Sequence, residues 1–253
     1  MTQSEKAEHF AALHVPGDPL VLYNIWDAGS AKAIAEAGAS AIATGSWSVA
    51  AAQGYPDGEK IPLDLLLGVA ERIVLSTDLP VTIDFEGGYA RAPEQLAENV
   101  LRLIETGAVG INFEDQIVGG DGLYETGEQV DRIAAIRQAA QQSNVALFIN
   151  ARTDLFLKEK DASKHGGLVD QAIDRADRYA SAGANGFFVP GLSDPGLIAR
   201  ICKAVSLPVN VMRPGTAPSR AELGGLGIAR ISAGPAPNRT MIADLAMRFG
   251  SLT

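Results

Sequence analysis

The 253-residue chain reads as an α/β protein, a single (β/α)8 barrel. Three observations predict this. An amphipathic run, small residues around Gly and a short apolar stretch recur in that order at "AIAEAGASAIATGS" (33–46), "LIETGAVGINFED" (103–115), "YASAGANGFFVPG" (179–191) and "ELGGLGIARISAG" (222–234). The apolar stretches run for only four to six residues, which suits strands buried on both faces of a parallel sheet. Eight strand–helix units fit the length, and that is the size of a closed barrel. The rival is an open doubly wound sheet, which the absence of a G-x-G-x-x-G after the first strand disfavours. There is no linker or low-complexity stretch, so residues 1–253 form one domain.

In chain order, "MTQSEKAEHF" opens with a short helix, and "LVLYNIWD" (20–27) is the first strand. A helix over 29–37 stops at Gly38, because the left-handed conformation that ends a helix costs glycine little. The second strand follows inside 33–46 and runs into a long loop through "GYPDGE". A helix at 62–76 precedes the third strand, "PVTIDF" (80–85). Pro93 suits the first turn of a helix over 93–106, and the fourth strand ends in "NFED". Helix 128–142 leads to "VALFINA" (145–151), and helix 167–182 leads to the sixth strand, which ends at Pro190-Gly191. Asp194-Pro195 starts a helix over 194–204 before "LPVNVM" (207–212). Helices at 218–224 and 236–249 flank the eighth strand.

Hydrophobic residues make up 47% and charged residues 20%, enough for a substantial core. The net charge of −9 argues against nucleic acid and anionic membranes as partners. No apolar run approaches the roughly 20 residues needed to span a bilayer. The polar start has no apolar signal core, and there is one cysteine, Cys202, so a cytoplasmic location is expected. Cys202 sits in a helical pattern, "LIARICKAV", and reads as packing.

Active sites of such barrels lie at the C-terminal ends of the strands. Polar residues fall there at Asn24 and Asp27, at Gly45, Ser46 and Trp47, at Asp84 and Glu86, and at Asn112, Glu114 and Asp115. Later strands bring Asn150, Arg152 and Asp154, then Asn210 and Arg213, then Ser232. Asp57 approaches from the long second loop. Neighbouring strands thus aim several carboxylates at one mouth, where they would repel one another. A hard divalent cation removes that conflict, and Mg²⁺ does so with a few carboxylates, waters and the substrate. Arg152 can grip a substrate carboxylate bidentately. No lysine falls at a strand end and no cluster of histidines forms, which argues against a Schiff base or a zinc centre.

Each candidate also has a structural reading. Asp84 could cap a loop, Asp57 sits in a "YPDG" turn, and Arg152 could pair with Asp154 or Glu114. Of Glu114 and Asp115, Asp115 is expected to be the solvated one.

The chain resembles the isocitrate lyase/phosphoenolpyruvate mutase superfamily, in particular its short phosphonomutase-like members. The carriers are "ATGSWSVAAAQGYPDGE" (43–59), "PVTIDFEGGYA" (80–90), "GAVGINFEDQ" (107–116), "INARTDLF" (149–156), "AGANGFFVPG" (182–191) and "PVNVMRPGTAP" (208–218). The resemblance implies a barrel acting on a small 2-oxo or 2-hydroxy acid bound to Mg²⁺, with Mn²⁺ as a substitute. It implies Asp84, Glu86 and Glu114 as the metal shell, with Asp84 the direct ligand. Gly45, Ser46 and Trp47 match the stretch that cradles the substrate carboxylate. Asp57 matches the active-site loop aspartate, Arg152 the substrate-binding arginine, and Asn210 an asparagine of the methylisocitrate lyase branch. It also implies a homo-oligomer, a dimer or tetramer, commonly with an exchanged eighth helix. The short tail after the last strand speaks against that exchange here.

One segment departs from the family. Relatives that cleave isocitrate-type acids carry a Cys-bearing loop after the fourth strand, and phosphonate enzymes carry a Lys-bearing one. Here the segment reads "IVGGDGLYETGE", with no Cys, His or Lys. The expected reaction is therefore C–C cleavage of an oxaloacetate-like or 2-substituted malate-like acid through an enolate. The alternatives are a C–P mutase or hydrolase acting on a phosphonopyruvate-like acid, and a 2-oxo acid binder without catalysis.

Overall fold

The computed structural model describes residues 1–213, 215 and 218–252. Pro214, Thr216 and Ala217 of the "RPGTAP" run lie outside the described residues. Eight parallel strands form one sheet: β1 (Leu20–Leu22), β2 (Ile42–Ala43), β3 (Val81–Asp84), β4 (Gly110–Glu114), β5 (Phe148–Arg152), β6 (Gly186–Phe188), β7 (Val209–Met212) and β8 (Arg230–Ser232). Their order is β1-β8-β7-β6-β5-β4-β3-β2. A parallel bridge between Ile25 and Thr44, beyond the ends of β1 and β2, closes the ring. The expected (β/α)8 barrel is therefore the observed fold.

The helices are α1 (Gln3–Ala12), α2 (Ala28–Glu36), α3 (Ser46–Ala52), α4 (Leu63–Leu75), α5 (Pro93–Glu105), α6 (Thr126–Gln142), α7 (Leu155–Lys158), α8 (Val169–Ser181), α9 (Pro195–Ala204), α10 (Arg220–Gly225) and α11 (Ala236–Gly250), with a 3₁₀ turn over Ala162–Leu168. Their local causes are ordinary. In α5, Pro93 occupies the first turn and Leu96, Val100, Leu103 and Ile104 form the buried stripe. Each such side chain, fully buried, contributes about 1.5–3 kcal/mol relative to exposure. The short α3 and α7 follow the strand ends directly, inside stretches the sequence pattern left as loop.

The bottom of the barrel is plugged by α1 and the turn after it. Phe10 and His14 meet Phe148 from β5, with ring centroids 5.3 and 4.1 Å apart. Gly110 makes room, since a Cβ there would lie 3.1 Å from Phe10 Cε1.

The last helix behaves differently from the others. Of α11, Pro237 and Asn238 are buried, while Met241, Ile242, Leu245, Met247 and Phe249 are exposed. The outward face of β1, where an eighth helix would pack, leaves Val21 and Tyr23 exposed. No helix among the described residues is long and apolar enough to cross a membrane.

Candidate active site

A cavity of about 190 Å³ opens at the C-terminal mouth of the barrel, with Asp84, Asn112, Arg152, Ser46, Trp47 and Asp57 on its wall. At roughly 30 Å³ per water, it holds on the order of six water-sized groups, the scale of a small acid. Most of the expected site residues meet here. Asp84 closes β3, and its N–H donates to Thr44 Oγ1 at 2.8 Å. Its Oδ2 accepts the Ser46 N–H, at the start of α3, at 3.0 Å. Its Oδ1 is buried and has no hydrogen-bond partner.

Arg152 faces Glu114 across the β4–β5 ladder. Its Nη1 lies 2.8 Å from Glu114 Oε2, and its Nε and Nη2 donate to Asp154 at 2.6 and 2.9 Å. Both structural pairings of Arg152 are thus realised, and two of its five N–H groups remain for a ligand. Burial opposes the Arg152 charge, but Glu114 and Asp154 outweigh it and hold the guanidinium protonated. Burial pushes the Glu114 carboxyl upward against the Arg152 charge.

Glu86 lies behind the cavity wall, in the left-handed region at φ 50°. Its Oε2 accepts the Glu59 N–H at 2.9 Å, and Glu59 Oε1 accepts the Tyr89 N–H at 2.8 Å. These bonds clip the loop that carries Asp57 to the turn after β3. Burial, then the charges of Asp84 and Asp57, push the Glu86 carboxyl up to about 8. Asp57, at the exposed mouth, is raised by partial desolvation and then by Asp84. Gly87 and Gly88 let the chain turn within this crowd. A Cβ on Gly88, at φ +81°, would lie 2.2 Å from Leu96 Cδ1. The turn's carbonyls are held by Arg132, which donates to Gly87 O at 2.5 Å, and by Asn99, which donates to Gly88 O at 3.0 Å.

Two residues sit elsewhere than their neighbours suggest. Asn210 lies below the cavity, bonded to Asn150, Arg230 O and Ser232. Asp115, expected to be solvated, is fully buried: it points out of the barrel toward α8 and accepts from Arg175 Nη1 at 3.0 Å, Tyr179 OH at 2.9 Å and the Asp154 N–H at 2.9 Å. A buried carboxylate needs such partners, and α8 supplies them.

Pattern reading assigns no role to Asn112 and does not find Arg239. Asn112 alternates with Glu114 on β4, which is a usable signal. Arg239, in the first turns of α11, lies 4.3 Å over the Trp47 ring, which no strand-end rule reveals.

Asp84 and Asp57 face each other at the mouth, where desolvation and then the Asp84 charge raise Asp57, and a cation bound there would relieve that repulsion. Among the described residues, no three His, Cys, Asp or Glu side chains are grouped to hold a metal by themselves. The unpartnered Asp84 Oδ1 nevertheless suits Mg²⁺, which accepts a single carboxylate and fills its shell with water and substrate. The residues fit that ion: Asp84 would hold it, and Asp57, at the mouth, could reach it through water. Glu86 and Glu114, the other acids of the expected shell, instead lie off the cavity wall, bonded to Glu59 and Arg152.

The family model described as phosphoenolpyruvate phosphomutase matches residues 10–252. The chain is 35% identical over 228 residues to an uncharacterized protein of Mycobacterium tuberculosis, covering 90% of this chain and 82% of that one. It is 28% identical over 223 residues to 2-methylisocitrate lyase of Escherichia coli, covering 82% and 73%. A crystal structure of a candidate phosphonomutase from Burkholderia cenocepacia superposes with a TM-score of 0.96 at 48% identity, covering 99% and 100%. The chain belongs to the isocitrate lyase/phosphoenolpyruvate mutase superfamily, a group of lyases and mutases acting on 2-oxo acids.

Proposed function

We propose that the protein is a Mg²⁺-dependent lyase that cleaves a C–C bond of a small 2-oxo or 2-hydroxy acid, such as an oxaloacetate-like acid or a 2-substituted malate. The observation that carries this reading is the unpartnered Asp84 Oδ1, in a small cavity that also offers two N–H groups of Arg152. Bound Mg²⁺ would supply Lewis-acid polarisation of the acid's oxygens. The chain's own residues do the rest. Arg152 binds the carboxylate and offsets its charge, while Glu114 and Asp154 keep the guanidinium fixed. Ser46 orients Asp84, and the clip between Glu59 and Glu86 holds Asp57 at the mouth.

The cavity wall carries no Lys, His or Cys among the described residues. That suits loss of CO₂ from an oxaloacetate-like acid, which needs no base to begin. Cleavage of a 2-substituted malate requires removal of its hydroxyl proton, for which Asp57 is the acid at the mouth. The second reading, C–P chemistry on a phosphonopyruvate-like acid, is favoured by the similarity to the candidate phosphonomutase. Binding without turnover is the third. Purified protein with Mg²⁺, offered oxaloacetate, 2-methylisocitrate, substituted malates and phosphonopyruvate, separates them: release of CO₂ or a carbonyl fragment supports the lyase. Turnover of phosphonopyruvate alone supports the second reading. Binding with no product supports the third.

The same reading includes a cytoplasmic location and a homo-oligomer. Against the expectation drawn from the short tail, the apolar face of α11 and the bare outer face of β1 favour exchange of α11 between copies. Sedimentation velocity showing a monomer at micromolar concentration would remove that part.

A further inference from the structure

A layer of amides crosses the barrel just below the cavity. Asn150 Nδ2 donates to Asn112 Oδ1 at 2.9 Å and to Asn210 Oδ1 at 3.1 Å. Arg230 Nη2 donates to the same Asn112 Oδ1 at 3.0 Å. Arg230 is fully buried and forms no ion pair with a carboxylate among the described residues, and its Nε and Nη1 have no partner. Burying a cation this way is costly, and here its one side-chain acceptor is Asn112.

That contact has a directional consequence. A guanidinium only donates, so the Asn112 atom facing Arg230 is the oxygen. The Asn112 NH₂ must then point the other way. It makes no hydrogen bond among the described residues, and Asn112 lines the cavity beside Asp84, its partner across the β3–β4 ladder. Burial lowers the Arg230 guanidinium only to about 9, so it stays a pure donor at neutral pH.

We propose that Asn112 contacts the substrate, its side-chain NH₂ donating to an acceptor oxygen of the bound acid, and that Arg230 is the positioning residue that fixes this polarity. The proposal rests on the 2-oxo acid reading and adds a neutral donor to the floor of the site, between Asp84 and Arg152. It gives a function to a buried cation that makes no ion pair of its own among the described residues and is supported only by the charge of the nearby Asp84. With a neutral residue at position 230 that both donates and accepts, Asn150 Nδ2 alone would hold the amide, and the flipped form that presents oxygen to an anionic ligand would gain population.

The test uses calorimetric titration of oxalate in Mg²⁺ buffer, with thermal melting of each variant as a control for folding. Asn112→Asp keeps the shape and the acceptor for Arg230 but turns a carboxylate oxygen toward the ligand. It should melt near wild type and bind oxalate at least about tenfold more weakly. Arg230→Lys keeps a pure donor and should bind within about threefold of wild type, whereas Arg230→Gln should lose at least about fivefold. A merely structural arginine would make Lys and Gln alike. Asn112→Asp binding as well as wild type, or Arg230→Gln binding as well as Arg230→Lys, overturns this inference alone. A wild-type protein that binds no oxalate overturns the functional reading and this inference with it.

Discussion

The Ser46 N–H donates to Asp84 Oδ2 at 3.0 Å, and this single bond sets the character of the site. It orients the carboxylate at the end of β3 and leaves Oδ1 buried without a partner. A buried oxygen of this kind costs stability unless a ligand completes it. A ligand that completes Oδ1 would recover that cost.

Arg152 holds two buried acids together. Removing it strands Glu114 and Asp154, so Arg152→Leu should destabilise the fold by about 3–5 kcal/mol. Adding Glu114→Gln and Asp154→Asn should recover part of that loss, because no unpaired charge then stays buried. Urea unfolding of the single and triple variants checks this, and a triple variant less stable than the single one would contradict it.

The glycines after β3 are predicted to differ from an ordinary helix glycine. Gly88→Ala places a Cβ against Leu96 at a positive φ and should cost more than about 1 kcal/mol. Gly68 lies inside α4 with open space where a Cβ would stand, so Gly68→Ala should stabilise by about 0.4–1 kcal/mol. Thermal melts should shift in opposite directions, and shifts of the same sign would contradict this.

His14 introduces a pH dependence far from the site. Burial, then the Arg230 charge, lowers its pKa from 6.5 to about 3. The folded state therefore keeps the ring neutral while the unfolded chain takes up a proton below 6.5. The stability contribution is full above the unfolded value and is lost as pH falls toward the folded one, by up to about 1.4 kcal/mol per unit. His14→Phe should flatten the denaturation midpoint between pH of about 7.5 and about 5.5 relative to wild type. An unchanged slope would show that other groups carry the acid sensitivity.

Cys202 should be inert. Its thiol is pushed up to about 11 by burial, so little thiolate exists at neutral pH. Alkylation by iodoacetamide should be much slower than for a free cysteine, and Cys202→Ser should leave ligand binding unchanged.

Most of the barrel was legible because its signals are local. Gly38, Gly107, Gly183 and Gly227, all at positive φ, punctuate the helix ends, and the short apolar strands follow them. That Asp84, Glu114 and Arg152 close their strands at the mouth end of the barrel was legible by the same rule. What escaped was set by contacts between distant segments. Asp115 looked like a second exposed acid, yet Arg175 and Tyr179, some 60 residues on, bury it. Glu86 was expected near the metal through water, and what its own sequence could not show is that Glu59, 27 positions earlier, holds its carboxylate off the cavity wall. The role of Asn112 depends on Arg230, 118 positions away. The free face of α11 is likewise a property of its packing and not of its own amphipathic pattern.

The central claim, a divalent-cation site built on Asp84 for a small 2-oxo acid, is tested most directly by calorimetric titration of oxalate with Mg²⁺, with EDTA, and with Asp84→Asn. Binding is predicted to require Mg²⁺ and to weaken by more than about 100-fold in Asp84→Asn, roughly 3 kcal/mol. Oxalate binding that survives EDTA, or that Asp84→Asn leaves intact, would contradict it.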